Sequence, residues 1–539
     1  MPVDIKKLKK YSVFAISALF AAFSLGTVIY YIIYPSAAFF HSDCSDTILW
    51  AQASHDCGGL FNPDFGYAAM LPFGGTMLMA PFIGIFGVSM TTHHIGMVLF
   101  TLLMAASVFL LCRSLKFSYP LSFTTLGTLL AVLCASAKLR EIFYEHVIYY
   151  SICVAVICVL LSLLIKFKEA FGRTDSSKPF IICAVFTVLF SACAGLDGLQ
   201  IISMGIIPVL FAAVAEILMN GEQKIFSKEN RASLFYCIIC SFSALIGLGI
   251  TAILSNGVSA GYANAYSGYD DMTDWLANLG NFPLHWFMLF GVDAEYGMSI
   301  FSPESIVNII RIAAAVIIAV VPIIALICYK KFDSGSRLLI LAHFGLSAII
   351  MFGYVFGILS AANWRLSPMI CTGLLVCFAV LKAAKGYVVP MRFAAVSACI
   401  LLLMSGVSFK NIAGMDKNGI VQNEKYQLAM ILKDNGLSYG FATFWNSQAI
   451  TVLSDSEVRA VNVDVNDNGI SPAVYQTNKQ WFNEQAGVDR YFVLLSQAEI
   501  NTLMSTPDWN AFQLLTKEII DLDGYRIFVF DSLYFLLDR

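Results

Sequence analysis

Apolar runs of membrane-crossing length follow one another from Tyr11 to Ser408, and this constrains the chain more than any single motif. A bilayer core of about 30 Å needs roughly 20 such residues per helix. Inside it every backbone polar group must be satisfied within the protein, which leaves helices as the form for runs of this length. Crossings are expected near 11–34, 90–112, 119–137, 144–166, 179–196, 198–219, 232–255, 306–328, 337–360, 367–383 and 392–408. Composition agrees: 13% of residues are charged, against roughly 25% in a soluble domain. The net charge of -3 says nothing about partners, and no nucleic-acid partner is expected. Most of the 14 cysteines sit singly in apolar runs, as Cys112, Cys134 and Cys371 do, where Cys behaves as a small hydrophobe. Cys44 and Cys57 share the first loop and could bridge if that loop is exported.

Charge sets the orientation. Lys6, Lys7, Lys9 and Lys10 precede the first run, which at about 24 residues is too long for a signal-peptide core and reads as an uncleaved first span with a cytoplasmic N-terminus. The segment 68–88 is apolar but holds Pro72, Gly74, Gly75, Pro81, Gly84 and Gly87, which suits an irregular or re-entrant piece packed on protein. If it does not cross, the eleven spans leave Arg113 and Lys116; Lys168, Arg173 and Lys178; Lys224, Lys228 and Arg231; Lys330, Lys331 and Arg337; and Lys382, Lys385 and Arg392 on the cytoplasmic side. That satisfies the positive-inside rule, and a crossing at 68–88 would invert it. The loop 256–305, with no Lys or Arg and with the aromatics Tyr266, Tyr269, Trp275 and Trp286, then lies outside. Interfacial anchoring is the commoner use of such aromatics. The division by sequence character is a transmembrane domain, 1–408, and a polar tail, 409–539. An odd number of crossings places the tail outside, where a helix over 423–435 and strands at YGFATF, VRAVNVDV, YFVLLS and YRIFVFD suggest a small α/β domain. No nucleophile elbow or phosphate-cradling loop appears in it.

The chemistry concentrates in His41–Gly75, the first outer loop, where Asp43, Asp46, Asp56 and Asp64 occur with no Lys or Arg. Ionisable groups beside a membrane default to a functional reading. The plainer alternative is that Ser42 and Asp43 cap a short helix over 47–54, with Asp46 in its first turn favouring the dipole. Elsewhere on the outer face Lys138, Arg140, Glu141, Glu145 and His146 follow the third span. Asp197 sits in the turn GLDGLQ, Arg311 at the outer end of its span and Arg365 in AANWRLSP. Outer cations run against the charge trend. They are read either as holding an anion such as phosphate or pyrophosphate, or as pairing locally and snorkelling. Lys138 and Arg140 have Glu141 and Glu145 beside them, whereas Arg365 has no carboxylate in its own turn. Asp197 has an equally good turn-forming role.

This arrangement resembles the GT-C superfamily of polytopic membrane glycosyltransferases, such as protein mannosyltransferases and aminoarabinose transferases. The acidic motif of those enzymes, D-E-x-x-Y-A at the head of a juxtamembrane helix in the first outer loop, is similar to Asp46-Thr47-Ile48-Leu49-Trp50-Ala51. Thr47 replaces the second acidic residue, which leaves open whether a divalent cation or a second carboxylate, Asp43, participates. PFGGTMLMAPFIGIFG is similar to the second juxtamembrane helix, and Arg365-Leu366-Ser367-Pro368 to an R-Y-x-x-P turn, without its Tyr and one residue shorter. An extracytoplasmic C-terminal domain also fits the resemblance, beside the about eleven transmembrane helices that hydropathy and charge give. The resemblance implies sugar transfer from a polyprenyl-phosphate or pyrophosphate donor to a cell-envelope glycan, lipid or protein. Asp46, then Asp43, would be the general base, and Arg365, with Arg140, Lys138 and Arg311 behind it, would stabilise the leaving phosphate. A multi-pass protein of a bacterial plasma membrane is the expected setting. The competing classes are a transporter or lipid flippase, which should place ionisable groups near span centres, and a non-catalytic scaffold, in which Asp43 and Asp46 would be replaceable.

Overall fold

The computed structural model describes residues 5–171, 177–219, 227–258, 268–358, 362–384 and 390–536. Arg173, Lys224, Tyr266 and Lys385 lie outside the described residues, as do the side chains of Lys6, Lys7 and Lys228. Among the described residues ten helices are long and apolar enough to cross a membrane, from Lys9–Ala38 to Met391–Ala413. An eleventh crossing exists if Tyr119–Val132 and Ala137–Glu145 form one span, since they meet at a bend of 116°. The expected continuous helix over 119–137 is therefore broken. Ser136 takes an extended conformation and its hydroxyl accepts from the backbone of Leu139, so it caps a new helix instead of continuing the old one.

The segment 68–88 forms a π turn, Pro72–Thr76, followed by the helix Met77–Phe86. At 1.5 Å per residue these 15 residues reach about 22 Å, short of the roughly 30 Å of hydrocarbon. The short length and the prolines thus agree with a non-crossing reading. Cys44 and Cys57 do not pair. Cys44 lies just before the helix Asp46–Cys57 and Cys57 is its last residue, so the helix length of about 18 Å separates them far beyond the roughly 4.4–6.8 Å between Cα atoms that a disulfide tolerates.

By compactness the chain divides into two units. Met1–Tyr31, Leu99–Ala252 and Tyr266–Met415 form the first; Ile32–Val98, Ile253–Ala265 and Asp416–Arg539 form the second. In the first unit, Tyr149–Ala170 and Asn363–Ala384 are the most enclosed spans, while Lys178–Leu196 is mostly uncovered. Ile181, Ile182, Val185, Phe186 and Leu189 make an exposed apolar stripe along that helix, the pattern of a face turned to lipid.

The second unit carries a six-stranded sheet in the order β3-β2-β1-β4-β6-β5, with β1 Tyr439–Ala442, β2 Arg459–Asn466, β3 Gly469–Pro472, β4 Tyr491–Ser496, β5 Glu518–Asp521 and β6 Tyr525–Phe530. The central strands β2, β1 and β4 are parallel; β3, β6 and β5 pair antiparallel. Alternation sends Phe441, Val461, Val493 and Phe528 into one core with Ile500, Leu503 and Phe512. Ala442, Ala460, Leu494 and Ile527 go into a second core with Leu428, Leu432 and Ile450. Two-sided burial of this kind is what parallel strands require. The helix Glu424–Asp434 falls where its periodicity placed it.

The first loop is laced onto this domain by backbone bonds. Gly66 N–H donates to Thr477 O (3.1 Å), Gln476 N–H to Gly66 O (2.7 Å) and Lys479 N–H to Asp64 O (2.8 Å). Asn423 donates its side-chain amide to Ala37 O and Phe40 O, both at 2.9 Å. A Cβ on Gly66 would lie 2.0 Å from Val474 O, so only glycine permits the approach.

Candidate functional site

Asp46 opens the helix Asp46–Cys57 immediately after a 3-10 turn, Ser42–Ser45. The capping alternative does not hold for Ser42, whose hydroxyl donates to Phe444 O at 2.6 Å, and neither Ser45 nor His41 makes a side-chain cap. The helix buries Thr47, Ile48, Leu49, Trp50, Ala51 and Ala53 and ends on Gly58 in the left-handed region, with Gly58 N–H donating to His55 O and Gly59 N–H to Ser54 O, a Schellman-like stop. Asp46 is half-buried, and its Oδ1 is sealed from water with no hydrogen-bond partner. Burial, and then the negative charge of Asp43, push its carboxyl well above the usual carboxylate range; the Gln476 amide and His41 act in the opposite direction.

Gln476, absent from the sequence reading, stands at the centre of this site. It is fully buried. Its Oε1 accepts from the Trp50 indole N–H at 2.8 Å and from Ala68 N–H at 3.4 Å, and its own carbonyl accepts from the Gln448 side chain at 2.8 Å. Its backbone φ is +54°, a left-handed conformation that is uncommon outside glycine.

The remaining candidates belong to the first unit. Lys138 is ion-paired with Glu141 at 2.5 Å and stands 5.0 Å from the Trp364 ring, which is the local-pairing reading. Arg140 and Glu145 are brought to one point by Tyr31. The tyrosine hydroxyl donates to Glu145 Oε1, and the Arg140 guanidinium lies 5.3 Å from the ring centroid while donating to Cys134 O at 3.2 Å. His146, buried next in sequence, leaves the helix in an extended conformation. Asp197 is buried in the turn between Lys178–Leu196 and Gly198–Ile201. Arg365 Nη1 donates to Gly353 O at 2.7 Å near the C-terminal end of the helix Ser334–Phe356, a place where a cation is favourable to the exposed carbonyls. It has no ion pair among the described residues.

Arg140 and Arg311 both line a cavity of about 600 Å³, together with Ser136, Asp293 and Asn411. That volume is in the range of small-molecule sites. Gly291 shapes its wall at φ +73°, where a Cβ would come 2.7 Å from Ala135 O. Arg311 donates to Asn308 Oδ1 at 3.4 Å, and its Nε has no partner. Among the described residues no group of three His, Cys, Asp or Glu side chains could hold a metal ion.

No family model and no curated protein matches the sequence. Among solved structures the chain is similar to the oligosaccharyltransferase of Archaeoglobus fulgidus, tethered with an acceptor peptide containing the NVT sequon. The TM-score is 0.46 at 11% identity, over 98% of this chain and 74% of that one. It is also similar to ArnT from Cupriavidus metallidurans in the apo state (TM-score 0.46, 11% identity, 97% of this chain and 98% of that one) and bound to undecaprenyl phosphate (TM-score 0.43, 12% identity, 97% and 99%).

Proposed function

We propose that the chain is a polytopic membrane glycosyltransferase of the GT-C kind. It would transfer a sugar from a polyprenyl-phosphate or pyrophosphate donor to a cell-envelope glycan, lipid or protein on the outer face. The observation that carries this reading is the Asp46 carboxyl, with one oxygen sealed and unpartnered and its proton affinity raised. A carboxylate used only for structure is normally satisfied, whereas a general base works best when its pKa approaches the operating pH.

Each group receives its role from its own surroundings. Asp46 takes the acceptor hydroxyl proton as that oxygen bonds to the anomeric carbon. The bond from the anomeric carbon to the phosphate oxygen breaks with its electron pair, leaving polyprenyl phosphate. Asp43 is the second carboxylate, and its charge raises the basicity of Asp46. Arg140 and Arg311 line a cavity of suitable size, which favours them as the cations for phosphate. Arg365 ranks behind them because it does not line that cavity, and Lys138 is committed to Glu141.

The test is turnover by the protein in vesicles supplied with radiolabelled polyprenyl-phosphate sugars. Asp46→Asn should abolish transfer while donor binding survives, and Arg140→Ala with Arg311→Ala should weaken donor binding. Normal turnover by Asp46→Asn would reject the base.

A further inference from the structure

We propose that Gln476 is the positioning residue for Asp46: its side-chain NH2 faces the Asp46 carboxylate and fixes it in one orientation. The inference rests on the reading of Asp46 as the base and gives the C-terminal domain a part in the chemistry.

The orientation of the amide is forced. An indole N–H is a donor only, so the atom 2.8 Å from Trp50 Nε1 must be the amide oxygen, and Ala68 N–H addresses the same oxygen. The NH2 must then point the other way. There, Gln476 Nε2 is buried with no hydrogen-bond partner, and so is Asp46 Oδ1. Two complementary groups left unmet would each cost about 1–3 kcal/mol. That the amide acts on this carboxyl in the sense of a hydrogen bond, opposing burial and Asp43, agrees with their facing one another.

The backbone is built to hold this side chain in place. Gln476 keeps a left-handed φ of +54°, a conformation that persists in non-glycine residues only when the surroundings over-determine it. They do so here: its N–H donates to Gly66 O at 2.7 Å, its carbonyl accepts from Gln448, and Gly66 is pressed on Val474 O. The other charged or titratable groups acting on Asp46 are Asp43 and His41, both on its N-terminal side. With one carboxylate oxygen held by the amide, the other is directed for proton transfer.

The test needs no substrate. Infrared pH titration of the full chain in vesicles, with Asp46→Asn identifying the Asp46 carboxyl band, is compared between wild type and Gln476→Met. This substitution fills the space with neither an N–H donor nor a charge. The expected result is an upward move of the Asp46 midpoint by about one pH unit or more, and an unmoved midpoint overturns the proposal. If Gln476→Met does not fold, Gln476→Leu is read the same way. In the transfer assay, Gln476→Met should lower kcat about tenfold to a hundredfold with KM for the donor unchanged. Transfer surviving in Asp46→Asn would remove the base but leave the titration standing, whereas an unmoved midpoint with Asp46→Asn inactive would remove the positioning alone.

Discussion

Glu216 and Asp46 are carboxylates of opposite fortune. Glu216, only 2% exposed in the first unit, accepts from Lys168 Nζ at 2.5 Å and Ser334 Oγ at 2.7 Å, with Arg337 3.6 Å away. It ties three helices together, Gly198–Met219 with Tyr149–Ala170 and Ser334–Phe356. Asp46, in the second unit, has a sealed oxygen with no hydrogen-bond partner, and a like charge, Asp43, close by. Satisfaction marks the first as structure, and its lack marks the second as a site.

The largest effect expected is on chemistry. Asp46→Asn should cost about 10²–10⁴ in turnover, the usual worth of a general base, while the thermal midpoint stays level or rises because a buried, repelled charge is gone. A parallel fall in both would make Asp46 another Glu216. The reverse pattern is expected of Glu216→Ala, which strands Lys168. Breaking a fully buried pair costs about 3–5 kcal/mol, and less is expected here because Lys168 and Arg337 keep some contact with water. A lowered melting temperature in detergent, with near-normal turnover of the surviving protein, is the outcome to look for.

The two carboxylates also differ in how far they could be read in advance. Asp46 was legible because an acid beside a span is rare and its spacing to Trp50 and Ala51 is local. Gln476 was not, because an amide in a polar tail carries no signal and its partner is far away in the chain. Arg140 and Glu145 were named for being charged, but their meeting at Tyr31 depends on a bend that the apolar sequence around Leu133 does not announce. The same logic runs through the sheet. β1, β2, β4 and β6 were visible because burial imposes hydrophobic patterns on them, while β5, an edge strand with Glu518, Ile519 and Asp521 exposed, is free of that constraint. Spans were the easiest to see, since lipid demands continuous apolar runs.

Acid pH sharpens the contrast further. Because the Asp46 pKa is raised, transfer should fall as pH drops through a value above the roughly 3.9 of a free aspartate. The sign for stability is opposite: between the unfolded and the folded pKa the native state binds more protons, so stability declines as pH rises through that window. Asp46→Asn should abolish this decline in a series of thermal melts.

The smallest effect tests whether Asp43 is a second base or only a neighbouring charge. Its repulsion is the second cause of the raised Asp46 pKa, after burial. Asp43→Asn should therefore move the acidic limb of the transfer profile toward lower pH. Turnover near neutrality should fall only modestly, because a weaker base is available in a larger deprotonated fraction. A loss as deep as that of Asp46→Asn would instead give Asp43 a direct part in the reaction, and the two carboxylates would have to be treated as one titrating pair.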